Sequence, residues 1–292
     1  MKFGLIGHPI EHSLSPALFK AGYDGMYPYD LIITEDFEEA YRIFLEGYDG
    51  INVTAPFKEL ALKKADILSE ECQKIGATNL LIKTAGGIMA HNSDYLGVRI
   101  WIEEISRLAS LTRNDRETVQ NDRETVQNDR EAARNDSETV QNDKEGRDIE
   151  EKTTVLIVGM GGAGKAAAEA ARSLGCEVIL MNRTQYSDEI RPLGEFKEAF
   201  KVADIVIYNL PVRLPELDTI SKEDFIEGKP KNILEANYRN PSFDKDLIQK
   251  LEGMHPQIRY TGGETWLLLQ ALTGYEIFTG QKPDLEKMAA RL

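Results

Sequence analysis

Val155-Leu-Ile-Val158-Gly159-Met160-Gly161-Gly162-Ala163-Gly164-Lys165 passes from four aliphatic residues into a glycine cluster and then into an alanine-rich stretch. The pattern predicts a short buried strand, a tight turn and a helix. Glycines at that turn let a pyrophosphate approach backbone N–H groups at the positive end of the helix. The run also reads Gly159-x-x-x-x-Gly164-Lys165-Ala166. A phosphate loop of the ATPase type needs Ser or Thr after the lysine to hold Mg²⁺, and Ala166 has no oxygen to offer, so a dinucleotide site is expected instead. The next apolar run ends in Met181-Asn182-Arg183-Thr184, about 20 residues on, where a ribose-reading side chain belongs. An acid there would grip a ribose 2′-hydroxyl. Arg183 offers a cation to a 2′-phosphate, which points to NADP in preference to NAD. Gly159, Gly161, Gly162, Ala163, Asn182, Arg183 and Thr184 are the expected cofactor residues.

Around this core, short apolar runs alternate with helical spacing. Strands are expected at Phe3–Ile6, Leu31–Thr34, Gly50–Thr54, Asn79–Lys83 and Ile88–Ala90, with helices at Asp36–Leu45 and Glu59–Ile75. A second series begins at Thr153, with strands at Val155–Val158, Glu177–Met181, Asp204–Tyr208 and Asn232–Glu235 and helices at Gly162–Leu174 and Asp244–Leu251. Two βα systems in series imply an α/β protein with two parallel-type sheets. The segment Glu264–Phe278 is apolar almost all round and reads as a helix buried between layers. The expected organisation is a substrate domain over 1–109 completed by 264–292, and a Rossmann-type dinucleotide-binding domain over 153–263.

Residues 110–152 interrupt the pattern. From Asn114 the unit NDRETVQ repeats with period seven, twice perfectly and then in drifted form. Val119, Val126, Ala133 and Val140 give one apolar position per heptad, where a coiled-coil seam needs two. The segment reads as a low-complexity insertion into an interdomain connection.

The chain has 292 residues, 41% hydrophobic and 29% charged, enough to bury two cores and too apolar for wholesale disorder. Its 49 acidic against 35 basic residues give a net charge of −14, which disfavours binding to nucleic acid. Cys72 and Cys176 make neither a metal-ligand spacing nor a disulfide framework, and no metal is expected. No apolar run approaches the length of a membrane span, and the first residues hold only a five-residue apolar stretch, so a cytoplasmic protein is expected.

Four polar stretches follow expected strands, where open α/β sheets place ligands: Pro9-Ile-Glu-His-Ser13-Leu-Ser15-Pro16, Asn52-Val-Thr54-Ala-Pro-Phe-Lys58, Gly76-Ala-Thr-Asn79 and His91-Asn-Ser-Asp94-Tyr-Leu-Gly97. Together with the glycine loop, Asn182-Arg-Thr184 and Gly263-x-x-Trp-Leu-Leu-Leu-Gln270, they resemble the shikimate dehydrogenase family in order and spacing. The resemblance spans nearly the whole chain outside the heptads. It implies an oxidoreductase interconverting 3-dehydroshikimate and shikimate with NADPH, in aromatic amino-acid biosynthesis. It implies that Lys58 and Asp94 are the catalytic pair, that Ser13, Ser15 and Thr54 bind the substrate carboxylate, and that Asn79, Asp94 and Gln270 hold hydroxyls. Tyr238 falls near the substrate and Gly263 on the cofactor side. This sequence has Asn92-Ser-Asp94 where the family usually has Asn-Thr-Asp, and Asn209-Leu-Pro211 where it has Asn-Ala-Thr-Pro. It also lacks a basic residue among Gln185, Tyr186 and Ser187.

The chemistry of ketone reduction suits those residue types. Negative charge develops on the carbonyl oxygen and must meet a hydrogen-bond donor and then a proton, both of which a lysine ammonium supplies, with a carboxylate to orient it. Taken singly, Lys58 reads as a solvated lysine and the serines as helix caps; it is their joint order that carries the assignment. The alternatives are a quinate/shikimate dehydrogenase using NAD or NADP, and a catalytically idle metabolite-binding regulator on the same fold. Retention of both Lys58 and Asp94 disfavours the regulator. A monomer or homodimer acting on a small molecule, with no membrane or nucleic-acid partner, is expected.

Overall fold

The computed structural model describes residues 1–108 and 152–292. Its contacts group Met1–Trp101 with Thr153–Leu292 in one compact unit, and Ile102–Lys152 in a second. Of the second unit the described part comprises helical residues 102–108 and Lys152. The heptad repeat expected over 114–148 lies outside the described residues.

The first unit contains two six-stranded sheets. The N-terminal sheet has the order β2-β1-β3-β5-β6-β4, built from β1 (Phe3–Gly7), β2 (Tyr29–Ile33), β3 (Gly50–Val53), β4 (Ile67–Leu68), β5 (Leu80–Thr84) and β6 (Gly87–His91). β1 pairs in parallel with β2 and β3, but β5 runs antiparallel to both β3 and β6, so this sheet is mixed and not the parallel type that the alternation predicts. The reason is local. Ala85-Gly86 closes a hairpin, and Gly87 takes φ +120°, a conformation open to glycine alone.

The expected helix Glu59–Ile75 is broken as well. It divides into α3 (Lys58–Leu62), strand β4 and α4 (Glu70–Ile75). Asp66 and Ser69 donate their backbone N–H groups to the Ile88 and Ala90 carbonyls, extending the sheet through what reads as one apolar stripe. On one face of the sheet, α2 (Phe37–Gly47), α3 and α4 bury Phe37, Phe44, Ala61 and Cys72. On the other, α1 (Ser15–Gly22), α10 (Gly263–Thr279) and α11 (Leu285–Ala289) bury Leu18, Phe19, Tyr275, Phe278 and Met288. A further helix, α5, is described over 93–108.

The second sheet is parallel throughout, in the order β12-β11-β10-β7-β8-β9. Its strands are β7 (Thr154–Val158), β8 (Glu177–Met181), β9 (Ile190–Arg191), β10 (Ile205–Tyr208), β11 (Lys231–Glu235) and β12 (Ile258–Thr261). This is the doubly wound arrangement in which a dinucleotide lies at the reversal of strand order, here between β7 and β10. The alanines of α6 (Gly162–Ser173) are buried, and their small side chains let the helix lie close to the sheet. β9, β12, α7 (Phe196–Val202) and the short α8 (Pro215–Asp218) are additions to the sequence reading. Phe196, Phe200, Tyr208, Phe243 and Leu247, the last in α9 (Lys245–Met254), fill the core on one face.

Candidate active site

The expected substrate residues gather where β1 and β3 end and β5 begins. Lys58 opens α3 directly after β3 and the cis Ala55–Pro56 bond. Its Nζ donates to Asp94 Oδ2 at 2.5 Å, with only 16% of the lysine side chain and 12% of the aspartate exposed. Asp94 lies in the first turn of α5, which Asn92 caps: Asn92 Oδ1 accepts the Tyr95 N–H at 3.1 Å and its amide donates to the Ala77 carbonyl. Glu71 braces the same junction by accepting the Asn92 N–H at 3.3 Å. Burial would raise the Glu71 carboxyl. Hydrogen bonds from His91, Ser69 and backbone N–H groups outweigh it and hold the carboxyl at about 2.

Asn79 immediately precedes β5. Its Oδ1 accepts the Ser93 N–H at 2.7 Å, and its amide donates to Ser93 Oγ at 3.0 Å and to Gln270 Oε1 at 3.2 Å. Gln270 comes from α10, which approaches α5 closely at Gly97, where a Cβ would stand 2.8 Å from the Gln270 nitrogen. The neighbouring Trp266 donates its indole N–H to the Asp94 carbonyl at 3.3 Å. Ser13 donates to Ser15 Oγ at 3.1 Å, and the Ser15 carbonyl accepts from the buried Tyr275 hydroxyl at 3.1 Å. Tyr29 donates to Asn52 Oδ1 at 2.8 Å, and Asn52 reaches the Asn79 carbonyl. Burial pushes the Tyr29 and Tyr275 phenols well up, so both stay protonated donors.

The structure therefore joins Lys58 to Asp94 and Asn79 to Gln270, and places Ser13 beside Ser15. Thr54 and Tyr238 are half-buried and make no side-chain hydrogen bond among the described residues. Ser93, Trp266, Asn52, Tyr29 and Tyr275 have no site role in the sequence reading, although the first three stand inside its motifs. Ser93 stands beside Asp94 in the chain, but its partners, Gln270 of α10 and Asn79 just before β5, are ones that no spacing in the chain reveals.

On the nucleotide side each glycine of the motif has its own geometry. Gly159 has φ +95°, and Gly161, the N-cap of α6, has open space where a Cβ would project. A Cβ on Gly164 would fall 1.9 Å from the Gly159 carbonyl oxygen. Those are the requirements of a dinucleotide loop: a turn, an approach for the pyrophosphate and close packing of helix on strand. Ala163 follows in the first turn of α6. Asn182 braces the loop by accepting the Met160 N–H at 3.2 Å and donating to the Thr184 carbonyl at 3.0 Å. Arg183 and Thr184 are exposed at the end of β8. The sequence reading did not include Arg191, exposed on β9, whose carbonyl accepts the Asn182 N–H at 3.2 Å. Gly263 opens α10 against the Ala236 carbonyl and the Tyr238 nitrogen. The groups present thus fit a dinucleotide with a free anionic edge near Arg183.

Residues 5–81 match the model of the shikimate dehydrogenase substrate binding domain, and residues 116–252 match that of the D-isomer specific 2-hydroxyacid dehydrogenase NAD binding domain. The shikimate dehydrogenase (NADP(+)) of Pyrococcus abyssi is 25% identical over 303 residues, covering 98% of this chain and 95% of that protein. The pentafunctional AROM polypeptide of Candida tropicalis is 29% identical over 260 residues, and the match takes in 86% of this chain but only 13% of that polypeptide. Among solved structures, shikimate 5-dehydrogenase of Thermus thermophilus, in complex with NADP(H) and shikimate, superposes with a TM-score of 0.69 at 24% identity, covering 100% of this chain and 98% of that one. That likeness establishes the fold. The substrate-domain match and the relatives aligned from end to end agree: over nearly its whole length this chain is similar to shikimate dehydrogenases.

Proposed function

We propose that this protein is a shikimate dehydrogenase, reversibly reducing 3-dehydroshikimate to shikimate with NADPH. The observation that carries the reading is the position of Lys58. Its ammonium is bound to Asp94 on the substrate side while its stem lies against Gly162 at the start of the nucleotide helix. A reacting carbon between the two lobes would have the lysine beside its oxygen.

Gly159, Gly161, Gly162 and Ala163 would hold the pyrophosphate, Asn182, Arg183 and Thr184 the adenosine end, and Gly263 would border the cofactor. NADPH supplies the hydride that the ketone carbon accepts. Lys58 donates a hydrogen bond to the ketone oxygen as charge grows there, then transfers a proton to it; in the reverse direction the neutral amine takes that proton back. Asp94 holds the ammonium in line and accepts a hydrogen bond from the substrate hydroxyl. Ser13, Ser15 and Thr54 bind the carboxylate, Asn79 and Gln270 hold ring hydroxyls, and Tyr238 borders the substrate. In this reading 1–109 with 264–292 is the substrate domain and 153–263 the dinucleotide domain. The enzyme works in the cytoplasm as a monomer or homodimer, without nucleic-acid or membrane partners. No helix among the described residues is long and apolar enough to cross a membrane.

A steady-state assay of shikimate and of quinate, each with NADP⁺ and NAD⁺, tests the reading by the absorbance of reduced cofactor. Shikimate with NADP⁺ is expected to give the highest kcat/KM. Absence of turnover with all four pairs overturns it. A preference for NAD⁺ would fit Gln185, Tyr186 and Ser187, which bring no second cation to Arg183, and would replace the cofactor assignment.

A further inference from the structure

A dinucleotide loop of this type needs glycine itself at 159, 161 and 164; at position 162 only the backbone N–H would serve the pyrophosphate, and any residue other than proline supplies that, so the missing side chain of Gly162 is left unexplained. Gly162 is the first residue of α6, and its φ is not of the kind that only glycine adopts. The single neighbour that a Cβ there would meet within 4 Å is Lys58 Cδ, at 3.1 Å. That is close enough to force the lysine stem to shift, while its Nζ is tied to Asp94 at 2.5 Å. Around this contact the facing helices carry matched charges. Lys165 of α6 pairs with Glu59 of α3 at 2.9 Å, next to Lys58 in sequence, and Glu169, one turn further along α6, faces Lys74 of α4 at 3.7 Å. Plus on minus and minus on plus favour one register of α6 on the substrate lobe, the Lys165–Glu59 pair more than the second, because Lys74 also pairs with Glu70 of its own helix at 2.8 Å.

We propose that this seam positions Lys58: Gly162 is a glycine to leave room for the lysine stem, and the Lys165–Glu59 pair holds the nucleotide helix at the distance that this contact requires. Gly162 and Glu59 are thus positioning residues that act through Lys58, and the dinucleotide loop takes part in orienting the proton donor as well as in holding phosphates. The inference rests on the dehydrogenase reading for its kinetic consequence and on geometry alone for its structural one.

Gly162→Ala separates the roles. Alanine favours a helix start more than glycine, so the thermal midpoint should hold or rise. A proton donor displaced by a fraction of an ångström should lower kcat for shikimate by about tenfold, while the Kd for NADP⁺, read by fluorescence titration, stays within about threefold. An unchanged kcat, or a Kd that weakens in step with kcat, overturns the proposal. Glu59→Lys and Lys165→Glu should each lower kcat, and the double swap should restore it; a double variant as impaired as the product of the singles overturns the pairing. Trace acetylation with peptide mass spectrometry reads Lys58 directly and needs no turnover. Gly162→Ala should change the Lys58 labelling rate relative to that of Lys83 by about threefold or more, since displacement from Asp94 alters its reactivity. If wild-type protein turned over no shikimate, the functional reading would fall and this labelling would still decide the seam, equal rates refuting it.

Discussion

Lys58 and Asp94 are 36 positions apart in the chain and 2.5 Å apart in space. Removing the ammonium by Lys58→Ala should lower kcat by about 10²–10⁴, the range for loss of a general acid, with a much smaller change in KM for shikimate. Steady-state kinetics at saturating NADP⁺ check this, and an unchanged kcat would exclude Lys58 as proton donor. At the other end of the cofactor, Arg183 is exposed and has no ion-pair partner among the described residues, so its guanidinium is free for a phosphate. Arg183→Ala should raise KM for NADP⁺ by about tenfold and leave that for NAD⁺ nearly unchanged, since only the former carries the 2′-phosphate. A parallel rise in both would make Arg183 a structural residue. Lys58 and Asp94 are legible through the family resemblance, each within a motif that follows a strand, whereas Arg183 is read from its place at the end of a strand in the nucleotide domain. The Ser93 hydroxyl and the Trp266 indole are legible by neither route. Their partners are brought to them by packing, and a serine or tryptophan in a helix carries no mark of the neighbour it meets.

Among the elements, long apolar strands and the glycine loop were readable from period and punctuation, whereas β4 and β9, two residues each, are too short to show a period at all. The α3–β4–α4 region misleads because its apolar residues keep helical spacing through the break. Lys231 on β11 shows how a neighbouring element changes a side chain. It is 2% exposed, its Nζ donates to the Phe200 and Ala203 carbonyls at the end of α7, and it sits 4.5 Å from the centre of the Phe200 ring. It thus closes carbonyls that the helix end leaves unpaired. Burial, opposed by Asp204 and aided by Lys229, pushes the ammonium from its ordinary 10.5 down to about 7. Between those values the unfolded chain holds a proton that the folded chain has released, so this group makes stability rise with pH from about 7 towards 10.5 and leaves it flat below. Urea unfolding of the wild type should show that rise relative to Lys231→Met across about pH 7 to 10, whatever the offset between the two proteins. Parallel curves would mean that the lysine keeps its charge when buried.

For the whole molecule, the residues assigned to chemistry come from Met1–Trp101 and Thr153–Leu292, and none from the heptads. Replacing 114–148 by a short Gly/Ser bridge should therefore leave kcat and KM within about threefold, because loop length costs little in closure entropy. Loss of turnover in a folded deletion variant would give the repeat a part in catalysis. The β5–β6 hairpin has a further consequence for how this scaffold can vary. Because its strands run in opposite directions, with Leu80 opposite His91 and Thr84 opposite Gly87, the residue that enters it, Asn79, and those that leave it, Asn92 to Asp94, emerge at one end while the turn lies at the other. Adding one residue to each strand moves the turn outward and leaves the site where it is. Adding one to β5 alone shifts the pleat by half its period and turns the Asn79 amide to the opposite face. The hairpin's length is thus free to drift in matched steps, but its parity is locked by the chemistry at its open end.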